Sequence, residues 1–115
     1  MEEIILVTKS IGKKELKDIA LRRFGDMVKA VVDLEKQIMA IGGELHADEE
    51  AFLLQQDSKQ ENLWGINLYP DLKMPDMVEF DSMINIRPRQ NNRSRSVENA
   101  EIRKQILDII KKLAI

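Results

Sequence analysis

Val28-Lys29-Ala30-Val31-Val32-Asp33-Leu34-Glu35-Lys36-Gln37-Ile38-Met39-Ala40-Ile41 carries two conflicting periods. Ala20, Phe24, Met27, Val31, Leu34, Ile38 and Ile41 are spaced 4, 3, 4, 3, 4, 3, a heptad that would let one helix run from Lys13 to Ile41. Against that helix stand Gly25 in its middle and the β-branched density of Val28 to Val32. The β-rich composition favours a hairpin, with Val28 to Leu34 and Ile38 to Leu45 as strands and Glu35-Lys36-Gln37 as the turn. Gly42-Gly43 fits a helix terminator or a close backbone approach in a strand.

Working outward, Glu3 to Thr8 is a short apolar run of strand character. Ser10 offers a helix cap, and Leu16, Ile19, Ala20 and Phe24 recur at helical spacing before Gly25. Downstream, Ala51 to Gln56 and Leu63 to Tyr69 are expected strands around a turn at Asp57-Ser58-Lys59-Gln60. Val78, Phe80, Ile84 and Ile86 alternate with polar residues until Pro88, the pattern of a half-buried strand. Residues 89–96 are wholly polar and are expected to form a loop. Ser96 or Asn99 then caps a helix whose apolar stripe is Ile102, Ile106, Ile109, Ile110 and Leu113. The expected fold is α+β: one domain over residues 1–115, with a mostly antiparallel sheet and an N-terminal and a C-terminal helix packed on one face.

Composition narrows the function classes. The 115 residues contain no cysteine, which excludes a disulfide framework and a Cys-rich zinc site. No apolar run approaches the roughly 20 residues of a membrane span. Met1-Glu2-Glu3 is acidic where a secretory signal would be basic, so the expected setting is cytoplasmic. The net charge of −2 conceals opposed segments. Residues 1–32 hold seven basic and five acidic side chains (+2), residues 33–81 three and twelve (−9), and residues 82–115 eight and three (+5). Arg87, Arg89, Arg93 and Arg95 fall in one stretch without an acid.

Three candidate sites follow. If the strands at 63–69 and 78–87 pair, Asn67, Tyr69, Asp81, Asn85 and Arg87 share the face away from the core, together with Glu79. Asn and Asp are poor strand formers, which separates this set from an ordinary solvated face. The four arginines, with Asn91 and Asn92, sit before a helix N-terminus and suit a phosphate-containing ligand or nucleic acid, because the guanidinium fork takes two oxygens at once. Their rival partners are the acids of the middle segment. His46, the single histidine, has three readings: a residue that ends a strand and bonds backbone, a proton-transfer group working with Asp81 or Glu79, or a divalent-metal ligand with Glu44, Asp48 and Asp81. His-x-Asp lacks the second histidine of a HExxH site. A third class of function is a non-catalytic homodimer, since small domains gain stability by association.

The segments Met39-Ala40-Ile41-Gly42-Gly43-Glu44-Leu45-His46-Ala47-Asp48-Glu49-Glu50, Leu63-Trp64-Gly65-Ile66-Asn67-Leu68-Tyr69-Pro70, Glu79 to Pro88 and Asn92-Arg93-Ser94-Arg95 resemble a family of short prokaryotic proteins of unknown function, over residues ~25–113. The resemblance implies a small single domain and assigns no catalytic role to any residue.

Overall fold

The computed structural model describes residues 3–115; Met1 and Glu2, part of the acidic start noted above, lie outside the described residues. Five strands form one antiparallel sheet: β1 (Ile5–Val7), β2 (Val28–Asp33), β3 (Ile38–Ile41), β4 (Leu63–Leu68) and β5 (Val78–Glu79), in the order β1-β3-β2-β4-β5. Three α-helices complete the fold: α1 (Lys13–Arg23), α2 (His46–Gln55) and α3 (Ala100–Leu113).

The ambiguous segment is a hairpin. Asp33 makes its turn: Oδ1 accepts from the backbone N–H of Glu35 at 2.9 Å and of Lys36 at 3.0 Å, and Gln37 takes the left-handed conformation at φ 56°. Asp33 is fully buried, and the Ser58 hydroxyl donates to its Oδ2 at 2.6 Å, which ties the turn to the loop after α2. The heptad is a consequence of sheet packing, because both faces of β2 and β3 are covered and apolar residues therefore appear at most positions. Strand β3 stops at Ile41 rather than Leu45. Gly42 has φ +91°, and a Cβ there would lie 3.1 Å from the Glu3 carbonyl oxygen.

One face of the sheet carries the larger core. Val28, Ala30 and Val32 of β2, Met39 and Ile41 of β3, and Trp64, Ile66 and Leu68 of β4 pack against Leu16, Ile19 and Ala20 of α1 and against Ile106, Ile109, Ile110 and Leu113 of α3. The N- and C-terminal helices thus share one face, as expected. Asn99 caps α3, its Oδ1 accepting from the N–H groups of Glu101 and Ile102 at 2.8 and 3.0 Å. Gly25, at φ +95°, ends α1 by donating its N–H to the Ala20 carbonyl at 2.7 Å.

Two expected strands are corrected. Ala51 to Gln55 is the second half of α2, with Gln56 its C-cap; the helix covers the other sheet face, with Leu53 and Phe52 packing on Val31, Ala40 and Leu63. A four-residue apolar run has no resolvable period, and the strand reading missed the acidic first turn, where Asp48 and Glu49 favour a helix N-terminus. Glu49 is buried there and accepts from the Gly43 N–H at 2.9 Å. The alternating stretch at 78–87 is strand only at Val78–Glu79. Beyond it the chain crosses the second sheet face and makes a 3-10 turn at Met83–Asn85, capped by the Ser82 hydroxyl accepting from the Ile84 N–H at 3.2 Å. The crossing is possible because β4 has glycine at Gly65: a Cβ there would fall 2.6 Å from the Cβ of Ser82. The apolar residues accordingly serve different clusters. Val78 and Phe80 join the larger core, and Ile84 joins the α2 side.

Candidate functional site

Helix α2 and the 81–84 crossing cover only part of the second face. Between them lies a cleft of about 410 Å³, lined by Met27, Lys29, Asn67, Asp81 and Arg95 among others and floored by the N-terminal turn of α2 at Leu45, His46 and Ala47. Sheet register places its polar groups. Lys29 of β2 stands opposite Asn67 of β4, and Asn67 opposite Glu79 of β5, so the three form a row across the sheet. The start of α2 brings the positive end of its helix dipole to the floor.

His46 opens α2 and is buried. Its Nε2 lies 2.8 Å from the Ile66 carbonyl oxygen. A carbonyl can only accept, so Nε2 carries the proton and the lone pair of the neutral ring belongs to Nδ1. Burial holds the His46 pKa below its ordinary 6.5, and the Lys29 ammonium acts in the same direction; the Ile66 carbonyl, Asp81 and Asn67 oppose the shift.

Asn67 is also fixed. Its Nδ2 donates to Glu79 Oε1 at 2.8 Å and to the Asp81 carbonyl oxygen at 3.4 Å. That leaves Oδ1 buried with no hydrogen-bond partner. The Tyr69 hydroxyl donates to the same Glu79 oxygen at 3.1 Å, and burial with the neighbouring Glu79 carboxylate raises its pKa. At the cleft mouth Arg95 Nε meets Asp81 Oδ1 at 2.7 Å, with both side chains about half exposed.

Of the residues singled out from the sequence, His46, Asn67, Asp81 and Arg95 therefore line one cleft, with Glu79 beside them. Asn85 and Arg87 do not. Asn85 is fully buried under β4: the Gly65 N–H donates to its Oδ1 at 2.8 Å, and its Nδ2 donates to the Gly65 carbonyl at 2.9 Å and the Arg95 carbonyl at 3.0 Å. Arg87 donates to the carbonyls of Gln60 and Leu63, each at 2.5 Å, and stacks 4.1 Å from the centre of the Trp64 ring. Both occupy the stretch of the β4 edge that β5 is too short to cover.

The arginine loop is not gathered around an outside space. Arg87 points inward, Arg95 holds Asp81, and Arg89 is exposed. The N–H groups of Arg93 and Ser94 converge on Glu98 Oε2 at 3.0 and 2.8 Å, so the protein's own carboxylate takes the place an anion would fill. These bonds, with the Ser94 hydroxyl first, hold the Glu98 pKa below the usual carboxylate range. Buried Asn92 organises the loop, its Nδ2 donating to the carbonyls of Asn85, Ser94 and Ser96. The proposed metal ligands are dispersed. Glu44 faces Arg23 at 3.8 Å, Asp48 is exposed on the first turn of α2, and no group of three His, Cys, Asp or Glu that would hold a metal ion occurs among the described residues.

Lys29 was missed from the sequence. Once the hairpin is drawn, its place opposite the Val28, Ala30 and Val32 face identifies it. Its place beside His46 depends on α2, of which the sequence reading takes Ala51 to Gln56 as a strand.

A family model described as "Protein of unknown function (DUF5674)" matches residues 5–113. The chain belongs to the DUF5674 family. The resemblance noted from the sequence to a family of unknown function is thereby borne out. No curated protein and no solved structure matches this DUF5674 chain. Among its described residues no helix is long and apolar enough to cross a membrane.

Proposed function

We propose that the protein is a binding module for a small phosphorylated ligand, and that the ligand occupies the His46 cleft rather than the arginine loop. The observation that carries this reading is the convergence of Lys29, His46, Asn67, Asp81 and Arg95, from five separate segments of the chain, on one cleft of about 410 Å³. That is the size and composition of a small-molecule site: apolar walls from Met27, Leu45 and Ile84 with a few fixed polar groups.

The charge pattern selects the class. Lys29 and the start of α2 suit an anionic group such as phosphate. Glu79, Asp81 and His46 Nδ1 are acceptors, and they suit hydroxyl donors. A phosphorylated sugar, alone or within a mononucleotide, presents both. Arg95 sits where it can exchange Asp81 for a ligand oxygen, because an exposed ion pair is held by less than about 1 kcal/mol.

Thermal unfolding with inorganic phosphate, ribose 5-phosphate and mononucleotides tests this. Binding to the native state at 100 times Kd contributes about 2.7 kcal/mol and raises the midpoint by several degrees. Lys29→Ala is expected to remove the shift. Unchanged midpoints with every ligand at millimolar concentration overturn the reading.

A further inference from the structure

We propose that the ligand of the cleft is a mononucleotide, and that Leu45 and Met83 hold its base. The inference deepens the reading of the cleft as a phosphorylated-sugar site and rests on it.

Leu45 and Met83 are 55% and 64% exposed, and both line the cleft. Each comes from one of the two elements that border it: Leu45 from the start of α2, Met83 from the 3-10 turn of the crossing segment. Neither packs in the apolar cluster on either face of the sheet. Met27, half-buried, is a third apolar side chain of the cleft that lies outside both clusters. A single exposed leucine is ordinary on a protein surface, but two large apolar side chains on one polar cleft mark a surface that something covers.

Leu45 also occupies a position where it gives up stability. It is the N-cap of α2, extended at φ −128° and ψ 140°. Its carbonyl accepts from the N–H groups of Asp48 and Glu49 at 3.1 and 3.4 Å. In that conformation Ser, Thr, Asp or Asn would bond an N–H of the first helical turn, whereas the leucine makes no side-chain cap. The side chain is therefore accounted for neither by the helix it opens nor by the core.

The chemistry of the ligand supplies the account. The polar groups of the cleft suit a phosphate and sugar hydroxyls, and neither offers apolar surface. In a mononucleotide the base does. Its faces are flat and apolar and its rim is polar, so it can cover two aliphatic side chains while its rim stays in water. Thioether sulfur makes favourable contacts with aromatic rings, and the apolar area removed from water favours the contact on both sides. A purine covers more of that area than a pyrimidine.

Calorimetric titration of the full chain with ribose 5-phosphate, uridine 5′-monophosphate and adenosine 5′-monophosphate tests this. The wild type is expected to bind the adenine nucleotide about tenfold more tightly than ribose 5-phosphate, with the uracil nucleotide between them. The double variant Leu45→Ser, Met83→Ser is expected to bind all three alike. Leu45→Ser alone introduces a capping hydroxyl, so its urea midpoint is expected to equal or exceed that of the wild type while its preference for the adenine nucleotide falls. Equal wild-type affinity for ribose 5-phosphate and both nucleotides, or an undiminished preference in the double variant, overturns the base contact while leaving the phosphate site standing. Loss of ribose 5-phosphate binding in the double variant, or a Leu45→Ser protein less stable than wild type, overturns it too, since the side chains then serve the site or the fold as a whole. A wild-type dimer in light scattering that the double variant lacks does the same, because a second copy then covers the two residues. No binding of any of the three ligands overturns both readings.

Discussion

The side-chain amide of Asn85 pairs with the backbone of Gly65 as a neighbouring strand would, accepting from its N–H at 2.8 Å and donating to its carbonyl at 2.9 Å. Asn85→Ala leaves both backbone groups buried without partners, at about 1–3 kcal/mol each. Asn85→Asp is no rescue, since a carboxylate cannot donate to the Gly65 and Arg95 carbonyls. Gly65→Ala attacks the same junction by sterics, with a Cβ 2.6 Å from that of Ser82. Urea unfolding is expected to show all three variants less stable by more than 1 kcal/mol, about the mean cost of a point mutation. A wild-type midpoint in Asn85→Ala would refute the strand-substitute role.

Arg87 does the same work further along the edge, through two carbonyls and the face of Trp64. Lysine cannot reproduce a planar fork that bonds two carbonyls while stacking on a ring. Arg87→Lys is expected to cost about 1–3 kcal/mol, nearly as much as Arg87→Ala. Because Trp64 is the single tryptophan, its fluorescence reports the site directly. An Arg87→Lys protein with native emission and midpoint would restore the case for an arginine free to bind an outside anion.

The Arg95–Asp81 pair is expected to behave in the opposite way. It is half exposed, so Arg95→Ala should change stability by less than about 1 kcal/mol. The same variant should change the affinity for ribose 5-phosphate severalfold, measured by calorimetry at fixed salt. An unaltered affinity would remove Arg95 from the site.

His46 predicts a pH dependence of stability. Its folded-state pKa lies below the 6.5 of the unfolded chain, so the unfolded state binds the proton first. The contribution is complete above pH 6.5 and is lost as pH falls from there through the lower folded value. Urea midpoints between pH 8 and pH 5 should decline more steeply in wild type than in His46→Gln, which lacks the titrating ring. Parallel profiles would show that the ring is not held neutral by the fold.

Much of the architecture was legible in periodicity. The hairpin at 28–41 showed in β-branched density, α3 in the stripe from Ile102 to Leu113 and its Asn99 cap, and the end of α1 in Gly25. These are local signals: a turn residue, a cap or a face repeats within a few positions. The second sheet face was not legible. Ala51 to Leu54 is too short a run to distinguish helix from strand, and Val78 to Arg87 alternates without being a strand because its apolar residues serve opposite faces of the sheet.

For the candidate site, residue chemistry marked out His46, Asn67, Asp81 and the arginines, since Asn, Asp and an isolated histidine are poor choices for an ordinary strand. It could not sort them. Asn67 and Asn85 are the same residue type in similar stretches, yet one lines a cleft and the other is consumed by the edge of β4. The four arginines are close in sequence, yet Arg87 bonds backbone and Arg95 bonds Asp81. Local composition sets which chemical groups are present and which segments form regular structure. Which groups remain free for a ligand depends on contacts between residues 10 to 27 positions apart in the chain, such as His46 with Ile66 and Asn85 with Gly65, and such contacts exist only once the sheet and α2 have packed.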